Sequence, residues 1–158
     1  TIPVLDQGKQ GVIGYHDDPP GFLASLSDPV IVFANHTCYQ RLIFYPFSTI
    51  QNVIPFKCSD KYIRNIFWLH HATHGLVELN DYKGHWPQFA AKKITIAEEG
   101  LAESFGKLVE PTYHQMLALH RKNANLRAQR ELLLPKLVSG EIDVSDIPMP
   151  GDQEVQVA

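Results

Sequence analysis

Apolar residues keep a heptad spacing from Pro111 to Leu137, and no other part of the chain holds one period for so long. With Met116 as position a, the a sites are Met116, Asn123, Arg130 and Leu137, and the d sites are Leu119, Leu126 and Leu133. Gln115, Lys122, Gln129 and Lys136 fill position g. Leucine at every d beside polar g residues predicts a narrow coiled-coil seam, not the broad stripe of a helix packed on its own domain. Asn123 and Arg130 interrupt the a line. A buried Asn costs stability but fixes register and partner number. Pro111 suits a first helical turn, where its missing N–H would be unpaired anyway. A helix from there to Leu134 would be roughly 36 Å long at 1.5 Å per residue. That is a spacer or dimerisation arm; the plainer alternative is an ordinary core-packed helix.

Upstream the pattern shortens. Ile2-Pro3-Val4-Leu5 and Val12-Ile13-Gly14-Tyr15 predict strands around the polar loop Asp6–Gly11. Val30-Ile31-Val32-Phe33-Ala34 is an unbroken apolar run, as in a strand buried on both faces. Asn35–Arg41 breaks it, and Leu42–Tyr45 and Thr49–Ile54 resume β character. Pro55 restricts the last of these to a strand end or an edge. At Lys61–His71 the period changes: Tyr62, Ile66 and Leu69 share one face of a short helix that Gly75 ends. Lys92–Ile96 predicts a final strand, and Glu98–Val109 a helix that meets a second one at Pro111. The expected fold is α+β: a twisted, mostly-β domain with small helices over residues 1–97, a helical coiled-coil region over 98–140, and a flexible acidic tail over 141–158.

Charge qualifies this picture. The 158 residues carry a formal charge of −3. Residues 1–97 and 98–138 each carry +1, and the last twenty carry −5 with no base. A nearly neutral body does not by itself advertise nucleic-acid binding. Two cysteines, Cys38 and Cys58, are too few for a disulfide scaffold and fit a reducing cytoplasm. No stretch has the apolar length of a membrane span.

Catalytic patterns are weak. His70 and His74 stand four apart on one helix face, as two zinc ligands can, but position 71 is His where a metalloprotease needs Glu. A metal-dependent hydrolase on that pair is the less favoured alternative. Cys38 follows His36 by two residues without a nucleophile elbow around it, and no phosphate-binding glycine loop is present. No metal or cofactor is expected.

Longer motifs point elsewhere. Arg130-Glu131-Leu132-Leu133-Leu134-Pro135-Lys136-Leu137 followed by Ser139-Gly140-Glu141-Ile142 resembles the leucine-rich close of the conserved helical region in type I restriction-modification specificity subunits. Pro29–Thr37 resembles a strand and loop of their target-recognition domains. Ile2-Pro3-Val4 with Gly11–Tyr15 is similar to their opening hairpin, and Tyr82–Trp86 to a segment before the conserved helix. The resemblance runs from residue 2 to about 144. Family domains carry further residues before the first strand, so the expectation is a recognition domain lacking its N-terminal part.

The resemblance implies a non-catalytic reader of double-stranded DNA. Two such units, as two halves of one chain or two copies, pack their helices antiparallel as a ruler between the halves of a split site. Identical halves would read a palindrome. Implied partners are an S-adenosylmethionine-binding modification subunit and a restriction and translocase subunit. Three loops offer suitable chemistry: Gln7, Lys9 and Gln10; His36, Thr37, Tyr39, Gln40 and Arg41; and Lys83, His85 and Trp86. Arg and Lys suit guanine edges, Gln suits adenine, and cations suit phosphate. The remaining alternative is a coiled-coil assembly module without DNA contact.

Overall fold

The computed structural model describes residues 1–58, 65–80 and 84–145. It is an α+β fold with a long C-terminal helix, as the patterns predict. The chain divides into two compact units, Thr1–His114 and Gln115–Ala158.

The first unit holds two three-stranded sheets. In one, β1 (Ile2–Leu5) lies between β2 (Val12–His16), antiparallel, and β5 (Ser48–Thr49), parallel. In the other, β3 (Val30–Ala34) lies between β4 (Gln40–Ile43) and β6 (Val53–Phe56), both antiparallel. Every residue of β3 is buried, and its two faces serve different cores. Val30 and Val32 join Leu5, Ala24, Ile43, Phe47 and Val53, whereas Phe33 packs with Val77 and Phe89. Alternation with period two divides a run that looks uniform in sequence. Pro55 sits in the edge strand β6, where its missing donor is tolerated.

Helix α1 (Ile66–Thr73) starts later than its period suggests, and residues 61–64 lie outside the described ones. The Asn65 carboxamide oxygen accepts a hydrogen bond from Trp68 N at 3.0 Å, capping the first turn. Gly75, at φ +76°, follows its end. Helix α2 (Trp86–Ala90) is short. Lys92–Ile96 forms no strand: Lys92, Lys93, Thr95 and Ile96 are exposed, and Lys92 N closes α2 on Phe89 O. β propensity without a ladder partner does not make a strand.

The two helices expected to meet at Pro111 are one, α3 (Glu99–Val138). An interior proline costs about 3 kcal/mol through its lost hydrogen bond and ring clash. Packing on both sides of it offsets that cost. Phe105 meets His71 edge-on at 5.3 Å between ring centres. Tyr113 packs on Phe67 and Phe44 at 5.3 and 5.9 Å, and its hydroxyl lies 3.1 Å from His71 Nε2.

Between these contacts Gly106 is buried and brings α3 close to Asn65 at the start of α1. A Cβ on Gly106 would overlap the Asn65 carboxamide that caps α1. Gly106→Ala would therefore destabilise the fold, although alanine favours a helix by about 1 kcal/mol. Losing the cap costs about 1 kcal/mol, and forcing the helices apart costs more. A net fall of about 1–2 kcal/mol is expected in thermal unfolding. A more stable variant would show that the close approach is unimportant.

In the second unit, the part of α3 beyond His114 is exposed except for half-buried Leu117. Gly140 takes φ +73° and ends the helix, Ile142 N returns to Lys136 O at 3.2 Å, and the Lys136 ammonium lies 2.8 Å from Glu141. The Ser-Gly-Glu-Ile motif is thus the helix stop.

Candidate functional site

The first candidate loop joins β1 to β2. Asp6 N donates to Gly11 O at 3.2 Å across its base, and Gly8 N donates to the Asp6 carboxylate at 3.0 Å. The second joins β3 to β4 in a tight turn: Cys38 N bonds Ala34 O at 2.9 Å, and Cys38 takes φ +58°. The third leads into α2.

Hydrogen bonds join all three. Gln7 Oε1 accepts from His36 N at 2.7 Å, and the Thr37 hydroxyl donates to Gln7 O at 2.6 Å. On the other side of the turn, Asn35 is the hub. Its carbonyl receives His85 N at 2.9 Å and lies 3.0 Å from His85 Nδ1, and its carboxamide oxygen receives Trp86 N at 2.6 Å. Gly84 leaves room for the Asn35 carboxamide, 3.4 Å from where a Cβ would stand. Sequence patterns did not single out Asn35. Its role comes from contacts fifty residues away, and the one local hint is a polar residue placed directly after a buried strand.

The candidate residues separate by exposure. Lys9, Gln10, His36 and Tyr39 are exposed. Gln7, Thr37, Arg41 and Trp86 are half-buried, and Gln40 and His85 are buried. Lys83 lies outside the described residues. Gln40 points its amide at α1, donating to Thr73 Oγ1 at 2.7 Å and to His70 O at 3.1 Å. Arg41 donates to Asp6 O at 2.9 Å. His85 also lies 3.1 Å from Asn80 Oδ1. Trp86 stacks on Phe89 at 5.5 Å and meets Phe33 and Phe56. Gln40 ties β4 to α1, His85 and Trp86 tie the third loop to Asn35, and the outward-facing groups come from the first two loops.

The histidines of α1 do something different. His70 is buried, with Nδ1 3.3 Å from the Gln40 amide nitrogen. Burial, with His71 and His74 beside it, pushes its pKa down to about 4. His71 is lowered too, again by burial first. Among the described residues, no three His, Cys, Asp or Glu side chains are arranged so that they could hold a metal ion, these histidines included. Burial raises the Cys38 thiol, away from the thiolate a nucleophile needs. His16 Nε2 lies 2.9 Å from Ser48 Oγ, a pairing that no spacing announced. An orienting acid would have to meet His16 Nδ1, and that buried atom has no partner among the described residues. The pair ties β2 to β5.

Among the described residues, no helix is long and apolar enough to cross a membrane. No family model matches the chain. No solved structure matches it either. Among curated proteins, it is similar to the type I restriction enzyme EcoR124I/EcoR124II specificity subunit of Escherichia coli, with 29% identity over 104 residues. That match covers 61% of this chain and 25% of the relative, so it spans about a quarter of that protein's length. The likeness supports an origin related to type I specificity subunits.

Proposed function

We propose that this chain is a DNA-recognition element of a type I restriction-modification specificity subunit. It reads one part of a split duplex site and performs no chemistry itself. The observation that carries this reading is the joining of three loops through Gln7 and Asn35 into one surface, in a chain similar to a specificity subunit. Lys9 supplies a cation for phosphate or guanine, and Gln10, His36 and Tyr39 supply polar and aromatic groups for base edges. The helix seam of Met116, Leu119, Asn123, Leu126, Arg130, Leu133 and Leu137 is exposed, which supports a partner helix from a second copy or a second half. The modification and the restriction and translocase subunits complete the complex, and they share the phosphate grip that a nearly neutral body lacks.

The test is selection from a random duplex pool at low salt, with the chain alone and with the modification subunit. A two-part motif should be enriched, palindromic if the chain pairs with itself. Leu126→Arg, which places a charge in the seam, should halve the mass seen by light scattering and leave only half of the motif enriched. No enrichment under either condition would overturn the DNA reading.

A further inference from the structure

Arg41 has the chemistry of a base reader, but its surroundings give it other work. Its Nη2 donates to Asp6 O at 2.9 Å, at the base of the β1–β2 loop. A Cβ on Gly11 would overlap Nη1 and Cζ, so the guanidinium occupies the space that a side chain on the loop's last residue would need. Gly11 holds φ +82°, a backbone conformation that glycine adopts without cost. Nε is buried and has no hydrogen-bond partner among the described residues, so it is shielded from any ligand outside. Arg41 is thus wedged between the two ends of the loop, Asp6 and Gly11, which Asp6 N and Gly11 O also join. From the tip, Gln7 reaches back to His36 N and Thr37 Oγ1, on the strand connection that leads to Arg41 itself. The arrangement is closed: β4 supplies the arginine that holds the first loop, and the first loop holds the turn that enters β4.

We propose that Arg41 is a positioning residue that locks the two loops into one rigid surface, presenting Lys9, Gln10 and His36 in fixed relation without touching DNA. The inference rests on the DNA-recognition reading for its consequence, not for its geometry. A floppy pair of loops carrying the same side chains would still attract phosphate but would discriminate poorly between sequences, because selectivity needs base-edge donors held in place.

The test compares wild type with Arg41→Met, which keeps an unbranched apolar stem and removes the guanidinium with its donors and charge. Amide hydrogen exchange is read at residues 6–11 and 36–37. Duplex binding is read as the ratio of Kd for a scrambled duplex to that for the selected one, and as the slope of log K against log salt. Exchange should quicken about tenfold or more in both loops, as expected when a local tie is lost. The selectivity ratio should fall while the salt slope stays unchanged. A slope smaller by about 0.9 with exchange unaltered would make Arg41 a phosphate contact and overturn the proposal. So would exchange and selectivity that both match wild type. Gln7→Ala cuts the same closed link at its His36 end and leaves Arg41 in place. If Arg41→Met does not fold, quickened exchange in this variant supports the lock and unchanged exchange ends it. A wild-type chain that binds no duplex defeats the DNA reading, and exchange alone then decides whether Arg41 locks the loops, so the two failures are told apart.

Discussion

Replacing Phe33 with alanine should remove about 3–5 kcal/mol of unfolding free energy. Phe33 is 2% exposed in the fully buried strand β3. Its ring stacks on Phe89 at 4.5 Å and meets Trp86 at 6.0 Å. Truncation loses the transfer energy of the ring and leaves a cavity that paired strands on either side cannot collapse to fill. A domain of this size has about 5–15 kcal/mol in total, so the loss takes a large share. The damage should reach the candidate surface as well, because Phe89 and Trp86 are the side chains that seat α2, and α2 begins directly after His85. Urea unfolding of wild type, Phe33→Ala and Phe33→Leu gives the check. The leucine variant should lose less than half as much as alanine, since it fills most of the volume. A loss below about 1 kcal/mol for alanine would mean that the second core contributes little.

Acid should weaken the fold well before its carboxylates titrate. In the folded chain His70 has a pKa near 4, against an ordinary value of 6.5. The unfolded chain therefore binds more protons between these values, and stability must fall as pH falls. The contribution is fully present above pH 6.5, is lost progressively on the way to 4, and is gone below that. For a shift of this size the loss approaches about 3 kcal/mol, and the smaller depression at His71 acts in the same direction. Among the described residues, no carboxylate pairs with His70. The groups facing His70 are Gln40 from β4, Thr73, His71 and His74 on its own helix, and Tyr113 from α3. Unfolding free energies measured every half unit from pH 7.5 to 4.5 should slope downward in wild type and flatten in His70→Gln. Equal slopes would remove His70 as the cause, whatever the absolute stability of the variant.

Elements whose cause is local were legible in the amino-acid order. The apolar run at Val30–Ala34, the edge position of Pro55 and the leucine period of α3 need only neighbours in sequence. Pro111 misled because its local preference for a helix start is real. It is overridden by Phe105 and Tyr113 docking on α1, contacts that no window along the chain contains. Lys92–Ile96 failed for the opposite reason: its β propensity found no ladder. At the candidate site, residue type marked three loops that the structure joins by hydrogen bonds, but it could not show which of their side chains face outward. Gln40, Arg41 and His85 have the same donors whether they face solvent or the interior. Only burial and partners distinguish them, and those depend on strands and loops thirty to fifty residues apart. Asn35 lay in the same blind region.

The bonds that join the three loops end largely on main-chain atoms: His36 N, Gln7 O, Asp6 O, Asn35 O and Trp86 N. Those atoms are the same for almost any side chain. Side chains at positions 9, 10, 36 and 39 are exposed and supply none of these bonds, so they can be exchanged while Gln7, Asn35 and Arg41 keep the loops joined. Under the proposed reading, that separation lets a single substitution at an exposed position change what the surface contacts without cutting a bond between the loops.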